Sequence, residues 1–128
     1  MGYRILIVDD SPISRITIRE ILESMGHQIV GEADSGRGGI DAFRSLRPDL
    51  MTLDISLPDM DGIQVLRELR LKMPSAKVIL ISGNDQKKVQ EQARLLWAPL
   101  VCKPFSLETL ESAVAQAAGA AAGSPKPR

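Results

Sequence analysis

The chain has few of the residues on which disulfide-rich, metal-rich or membrane-spanning proteins depend. Its single cysteine, Cys102, excludes an intrachain disulfide and fits a reducing compartment. Its single histidine, His27, cannot form a metal cluster alone. Basic and acidic residues number 16 each, so the overall charge predicts neither a nucleic-acid nor a membrane partner. No apolar run is long enough to span a membrane and no signal-peptide pattern is present, so we expect a cytoplasmic location.

Strand-like and helix-like segments alternate along the 128 residues. Short apolar runs rich in β-branched residues are typical of buried parallel strands. Ser11 and Pro12 mark the start of a helix, because serine caps a helix and proline suits its first position. This order predicts an α/β fold, a doubly wound five-stranded parallel sheet with helices on both faces. We expect one domain at residues 1–118 and a flexible tail or truncated linker at residues 119–128.

A polar side chain stands at the end of each of four apolar runs. In chain order these residues are Asp9 with Asp10, then Asp54, Ser82 and Lys103. In an open α/β sheet the ligand crevice lies beyond the carboxyl ends of the strands. If the runs are parallel strands, three carboxylates, a hydroxyl and an ammonium group meet at one edge of the sheet. We therefore predict a functional site at that edge.

The three carboxylates indicate a metal ion. Brought together, they would repel one another and raise their own pKa values unless a cation lay among them. Mg²⁺ fits because it binds few carboxylates and keeps water and substrate oxygens, and Mn²⁺ is the alternative ion. A metal ion beside a carboxylate, with Lys103 opposite, is a receptor for a phosphoryl group. Asp54, alone at the end of its strand, is then the predicted nucleophile that forms an acyl phosphate.

Four short motifs make the chain resemble the receiver domains of two-component response regulators, especially the single-domain chemotaxis-type regulators. The motifs are Ile-Val-Asp9-Asp10, the segment from Asp54 through Pro58-Asp-Met-Asp61-Gly62, Ser82-Gly83, and Lys103-Pro104-Phe105. They occur in the family's order, and the resemblance covers nearly the whole predicted domain. It implies a flavodoxin-like sheet with the strand order 2-1-3-4-5, which is taken from the family rather than from the residues.

The resemblance also implies how the acids act. Asp54 would accept a phosphoryl group from a sensor histidine kinase or a histidine phosphotransfer protein, and water would later remove that group. Asp10 would bind Mg²⁺ directly and Asp9 largely through water. The backbone carbonyl of Ser56 would supply a further metal ligand.

Further roles follow from the same resemblance. Ser82 and Lys103 would hold the phosphoryl oxygens, and the Lys103–Pro104 peptide bond would be cis. Asn84, with Ser56, would tune the rate at which the phosphoryl group is lost. A downstream protein would bind the face around residues 85–115 after a change of conformation.

Two positions depart from the family pattern. Leu100 stands three residues before the lysine, where the family usually has Tyr, Phe or His, and Leu96-Trp97 replaces a usual Gly-Ala. An aromatic side chain therefore cannot report phosphorylation from position 100. We expect Trp97 or the loop at Pro99 to carry the signal, or the coupling to be weak.

Three alternatives stay open beside this signalling switch, which would have no substrate other than its phosphodonor. A haloacid-dehalogenase-like phosphatase also uses an aspartyl phosphate, but that family needs an aspartate where this chain has Ser56. A degenerate receiver would act as a docking module independent of phosphorylation. The chain could also be the receiver piece of a longer regulator.

Two sets of residues are predicted to lie outside the site. Gly36, Gly38 and Gly39 follow a strand but lack the third glycine of a dinucleotide-binding motif, so we expect a flexible loop leading into a helix near Gly38. Four helix arginines are expected on solvated faces, namely Arg15, Arg19, Arg67 and Arg70.

Overall fold

The computed structural model describes residues 2–83 and 87–119, and over these residues five strands alternate with five helices. The strands are β1 (Arg4–Val8), β2 (Gln28–Ala33), β3 (Leu50–Asp54), β4 (Val78–Ser82) and β5 (Leu100–Cys102). The helices are α1 (Pro12–Ser24), α2 (Gly36–Leu46), α3 (Gly62–Lys72), α4 (Lys87–Leu95) and α5 (Leu107–Gly119). The predicted alternation of strands and helices is confirmed.

All neighbouring strands are parallel, and their order in the sheet is β2-β1-β3-β4-β5. This is the order that the family resemblance implied. The register places Val8 opposite Leu53 and Asp54 opposite Ile81, so β1, β3 and β4 end close together at one edge. The strand order reverses between β1 and β3, and in such sheets a ligand crevice forms at that reversal.

Apolar side chains cover both faces of the sheet. On one face, Leu22 of α1 and Leu110 of α5 pack against strand residues such as Ile7. On the other face, α2, α3 and α4 pack with residues such as Phe43 and Leu66. Each fully buried side chain of this size stabilises the fold by about 1.5–3 kcal/mol. None of the helices in the described part of the chain has the length and apolar character that crossing a lipid bilayer requires.

Helix α2 begins at Gly36, so the predicted flexible loop of glycines is wrong. Ser35 caps this helix, because its hydroxyl accepts a hydrogen bond from the Gly38 N–H at 3.0 Å. A Cβ on Gly39 would lie 2.9 Å from Cγ1 of Val8. The glycine therefore permits close packing of α2 on β1, and packing rather than loop flexibility explains it.

Arg70 is half-buried, which corrects the prediction that it lies on a solvated face. Its guanidinium donates hydrogen bonds to the carbonyls of Ala76, at 3.1 Å, and Leu96. Burial lowers the pKa of Arg70. This side chain thus joins α3 to the segment between α4 and β5. Arg67 is exposed, as predicted.

Candidate functional site

The sheet carries the predicted polar side chains to one edge. Asp54 is the last residue of β3, and Asp9 directly follows β1, its neighbour in the sheet. Ser82 ends β4 and Lys103 follows β5, and the Lys103 N–H donates to the Ser82 carbonyl at 2.7 Å. We call the edge formed by these C-terminal strand ends the carboxyl edge. The predicted convergence of these residues on it is confirmed.

Asp9, Asp10 and Asp54 form a cluster of carboxylates at this edge. One oxygen from each residue lies within 4.8 Å of the others. Asp9 and Asp54 are only 1% and 5% exposed, whereas Asp10 is open to solvent. The Ser11 N–H donates to Oδ1 of Asp9 at 2.9 Å, which fixes that carboxylate. Two buried acids and one exposed acid thus face a common volume that solvent can reach beside Asp10.

Lys103 places an ammonium group against this acidic cluster. Its Nζ lies 3.3 Å from Oδ2 of Asp9 and 3.9 Å from Oδ2 of Asp54. The same nitrogen donates a hydrogen bond to Oγ of Ser14 at 3.2 Å. The distance to Asp54 is that of an ion pair without a hydrogen bond, so the lysine is held by Asp9 and Ser14 beside Asp54.

Burial and the negative charge of Asp9 raise the pKa of Asp54 from the ordinary 3.8 to about 6. Lys103 opposes this shift, and so does the Ser56 N–H, which lies 3.3 Å from Oδ1 of Asp54. One lysine therefore does not balance the acids around it. A hard divalent cation among three carboxylates would relieve their repulsion, and an all-oxygen donor set is the one that Mg²⁺ prefers. The residues present fit a bound Mg²⁺.

Gly62 fixes the loop that follows Asp54. Its N–H donates to the Ile55 carbonyl at 2.8 Å, and a Cβ there would lie 2.5 Å from the carbonyl oxygen of Asp54. Asp61 caps α3, because its Oδ1 accepts from the Ile63 N–H at 2.7 Å. The Asp61-Gly62 pair in the sequence therefore sets how closely α3 approaches the backbone of the acceptor strand.

The carboxylate of Asp59 joins the same loop to α2. One oxygen accepts from the Gly36 N–H at 2.7 Å and the other from the Arg37 N–H at 2.9 Å. These bonds, with the one from Arg37 the stronger influence, lower the pKa of Asp59. The loop carrying Ser56 is thus held by α2 on one side and by α3 on the other.

Ser82 and Pro104 lie where the sequence predicted. Ser82 is buried at the end of β4, beside the acceptor strand β3. The Lys103–Pro104 peptide bond is cis, as the resemblance implied. Both residues therefore belong to the carboxyl edge.

Trp97 and Leu100 lie apart from the acids. Leu100 is the first residue of β5, opposite Leu80, so it stands at the amino end of that strand. Trp97 precedes it, with a φ of +53° and its side chain 41% exposed. A bulky residue in this left-handed region is uncommon. Asn84, the third predicted switch residue, lies outside the described residues.

Three residues that the sequence did not assign to the site contact it or lie beneath it. Ser14 accepts from Lys103, as described above. Arg15 donates from Nη1 to the Asp9 carbonyl at 2.6 Å, which corrects its predicted solvated face. Thr52 is buried two residues before Asp54, and its hydroxyl has no hydrogen-bond partner among the described residues. The available signal for Ser14 and Arg15 was that α1 begins at the carboxyl edge, so its first turn faces the site.

The strand order β2-β1-β3-β4-β5, with buried acids and a lysine at the carboxyl edge, defines a flavodoxin-like α/β domain with an acidic site. The family model for the response regulator receiver domain matches residues 5–115. The chain therefore belongs to the response regulator receiver domain family, whose members act in two-component signalling.

Curated relatives and solved structures agree with this assignment. The chain is 36% identical over 106 residues to the chemotaxis protein CheY of Thermotoga maritima, covering 82% of this chain and 88% of the relative. It is 39% identical over 117 residues to the protein CcdB of Bacillus subtilis, covering 91% and 98%. The receiver domain of the putative response regulator NarL from Mycobacterium tuberculosis superposes with a TM-score of 0.85 at 30% identity, covering 93% and 98%. A CheX–CheY–BeF3–Mg²⁺ complex from Borrelia burgdorferi gives 0.83 at 28% identity, covering 88% and 86%.

Proposed function

We propose that this chain is a phosphorylation-controlled switch whose Asp54 accepts a phosphoryl group from a phosphohistidine. The donor would be a sensor histidine kinase or a histidine phosphotransfer protein. One observation carries the proposal: a buried carboxylate with a raised pKa shares a 4.8 Å cluster with two other acids and lies 3.9 Å from a lysine ammonium. Among the described residues, Asp54 accepts a hydrogen bond from the N–H of Ser56 alone, which leaves its carboxylate available as a nucleophile.

The transfer exchanges one phosphorus bond for another. A carboxylate oxygen of Asp54 attacks phosphorus as the bond from phosphorus to the imidazole nitrogen breaks. The electron pair of the broken bond stays on that nitrogen, and the ring, protonated on its other nitrogen, leaves neutral. A pKa of about 6 leaves Asp54 mostly ionised at neutral pH, as the attack requires. Water later attacks phosphorus, inorganic phosphate leaves, and the carboxylate is restored.

The other residues of the carboxyl edge would bind the metal ion and the phosphoryl oxygens. Asp9, Asp10, Asp54 and the backbone carbonyl of Ser56 would hold Mg²⁺, or Mn²⁺ in its place, which when bound neutralises phosphoryl oxygens. Lys103 supplies a second positive charge from the opposite side, and the Ser82 hydroxyl donates to a phosphoryl oxygen. The fixed loop at Gly62 and Asp59 keeps the Ser56 carbonyl in place.

The output of the switch would be a change in protein binding. We assign the downstream partner to the face around residues 85–115, of which residues 85 and 86 lie outside the described part of the chain. Leu95 and Trp97 expose 59% and 41% of their surface on this face, and Leu107 is exposed as well. Leu100 is aliphatic and packs against core residues, so we assign the report of the switch to the exposed aromatic side chain of Trp97. The Borrelia relative named above is recorded in complex with a partner protein, CheX.

Incubation with acetyl phosphate and Mg²⁺ tests the proposal. We expect intact mass spectrometry to find one phosphoryl adduct on the wild type and none on Asp54→Asn. Asp41→Asn, the same substitution at an exposed position of α2, is the matched control and should still be labelled. Equal labelling of Asp54→Asn would place the acceptor elsewhere. An unlabelled wild type would favour the docking-module alternative, in which the acids are retained without phosphorylation.

The predicted division into a domain at residues 1–118 and a tail at residues 119–128 remains part of the proposal, as does the predicted cytoplasmic location. The family match at residues 5–115 lies inside the predicted domain of residues 1–118. Residues 120–128 of the predicted tail lie outside the described residues, and Gly119 is the last residue of α5. The cytoplasmic location stays a prediction.

A further inference from the structure

The start of α1 contacts two residues of opposite charge at the carboxyl edge, Asp9 and Lys103. The Ser11 N–H donates to the carboxylate of Asp9, and Arg15 donates to the carbonyl of the same residue. Between them in the sequence, Ser14 accepts a hydrogen bond from Lys103, 89 residues away along the chain. The helix start therefore contacts both the acid and the lysine of the site.

Ser14 is the nearest partner that the structure gives to the Lys103 ammonium. Its Oγ lies 3.2 Å from Nζ, against 3.3 Å for Asp9 and 3.9 Å for Asp54. A lysine side chain has a flexible four-carbon stem and three donor hydrogens, so its charge needs several partners to stay in one place. Without Ser14, Asp9 would be the sole hydrogen-bond acceptor that positions this ammonium among the described residues.

The chemistry of the two acceptors differs in a way that matters for a phosphoryl group. Asp9 holds the ammonium but also cancels part of its charge, and Asp9 is in addition a proposed metal ligand. The Ser14 hydroxyl is neutral, so it restrains the ammonium without reducing the charge that a phosphoryl group on Asp54 would meet. Ser14 itself is half-buried, fixed in the first turn of α1 through its N–H, which donates to the hydroxyl of Ser11 at 3.2 Å.

We propose that Ser14 is a positioning residue that holds the Lys103 ammonium beside Asp54 and thereby strengthens binding of a phosphoryl group there. The inference rests on the proposed function, because it gives Lys103 its role as a phosphoryl ligand. It adds a residue from α1 to the residues proposed to hold the phosphoryl group, Asp54, Ser82 and Lys103, which all lie at strand ends or directly after them.

Beryllofluoride, which adds to a carboxylate as a phosphoryl mimic, provides the test. Its affinity in the presence of Mg²⁺ can be measured by ¹⁹F NMR for the wild type, Ser14→Ala and Ser14→Thr. Because Asp9 still holds the ammonium, we expect Ser14→Ala to lose no more than a typical hydrogen bond contributes, which predicts binding weaker by about 2- to 12-fold. Ser14→Thr keeps the hydroxyl and should bind within about twofold of the wild type. Thr17→Ala, on the exposed side of the same helix, is the matched control and should behave as wild type.

The outcomes separate this inference from the proposed function. If the wild type binds beryllofluoride and Ser14→Ala binds it equally well or more tightly, the positioning role is wrong and the acceptor role stands. If Ser14→Thr is as weak as Ser14→Ala, packing rather than the hydroxyl is responsible, and the role is again wrong. If the wild type does not bind beryllofluoride with Mg²⁺, the proposed function fails and the positioning role fails with it. Affinity for Mg²⁺ alone should be equal in all four proteins, because Ser14 touches the lysine and none of the acids.

Discussion

The two edges of the sheet use charged residues in opposite ways. At the amino edge, formed by the N-terminal strand ends, the charged groups have backbone partners: Arg4 donates to the carbonyls of Arg47 and Leu46, and Asp49 accepts from the Arg4 N–H. Lys77, just before β4, donates to the carbonyl of Ala118. At the carboxyl edge, three acids lie together and one lysine pairs with two of them, Asp9 and Asp54. The amino edge closes the fold, whereas the carboxyl edge keeps an excess of negative charge that a metal ion and a phosphoryl group would use.

The large groove of the protein and its cluster of acids lie at opposite edges of the sheet. A groove of about 850 Å³ lies at the amino edge, where its lining includes Arg47, Asp49 and Lys77. At the carboxyl edge, burial and the negative charge of Asp9 raise the pKa of Asp54 to about 6. Unbalanced like charge is therefore a better guide to the site in this fold than volume.

We expect the largest difference between the two edges in the rate of phosphorylation when Lys103 or Lys77 is replaced. Lys103→Met should slow formation of the acetyl phosphate adduct by about 10- to 100-fold, because it removes the positive charge beside the phosphoryl group. Lys77→Met should leave that rate within about twofold, since its ammonium serves a helix carbonyl. Intact mass spectrometry over time measures both rates. Equal rates for the two variants would mean that Lys103 is a surface residue without a role in the transfer.

Two acids on opposite edges, Asp10 and Asp49, allow the same comparison for Mg²⁺ affinity. Asp10→Asn should weaken Mg²⁺ binding at least about tenfold, because it removes a carboxylate from the cluster of three. Asp49→Asn, an acid of the amino edge, should bind Mg²⁺ like the wild type. Isothermal titration calorimetry with MgCl₂ gives both affinities. A similar loss in both variants would indicate weak binding to general negative charge.

The pH dependence of the free energy of unfolding should show a smaller effect of Asp54, whose sign follows from its raised pKa. Asp54 titrates near pH 6 in the folded protein, whereas an ordinary aspartate titrates near 3.8, so the unfolded chain releases its proton first as pH rises. The folded state therefore loses stability from this group between about pH 4 and pH 6. Allowing for solvent near the site, Asp54→Asn should raise the free energy of unfolding of the metal-free protein by about 1–2 kcal/mol at pH 7 and by little at pH 4.

Urea unfolding in EDTA at both pH values measures this difference. Asp59→Asn is the control of opposite sign, because hydrogen bonds from Arg37 and Gly36 lower the pKa of Asp59. Its stability contribution is present above the pKa of an unfolded aspartate and is lost as pH falls through the lower, folded value. Asp59→Asn should therefore destabilise the protein at pH 7. If Asp54→Asn also destabilised it there, the acids would not be repelling one another.

The sequence predicted the sheet and the strand-end acids because both follow from simple periodic rules. Buried parallel strands need continuous apolar runs, and the residue after each run must lie at the carboxyl edge. The start of α2 was missed because glycine normally disfavours a helix, whereas at Gly36 a Cβ would lie 2.6 Å from Cγ of Met60 and the N–H donates to Asp59. The hydrogen bond joins residues 23 positions apart, so local propensity could not reveal it.

The side-chain contacts of the site could not be predicted from the sequence either. Ser14 and Arg15 are ordinary residues of a polar helix start until the fold places Lys103 and Asp9 against them. The sequence pattern places Arg70 on a solvated helix face, yet its guanidinium donates to the carbonyls of Ala76, before β4, and Leu96, before β5. Long flexible side chains find their partners through tertiary structure, whereas short acids at strand ends have their positions fixed by the strand itself.

The most direct measurement for the acceptor role is the location of the phosphoryl group within the chain. Borohydride reduces an aspartyl phosphate to homoserine, which tandem mass spectrometry of the digested protein assigns to one position. After treatment with acetyl phosphate and Mg²⁺, we expect homoserine at position 54 and at no other aspartate. Homoserine at position 9, 10 or 59, or a labelled protein with none at 54, would contradict the role given to this carboxylate.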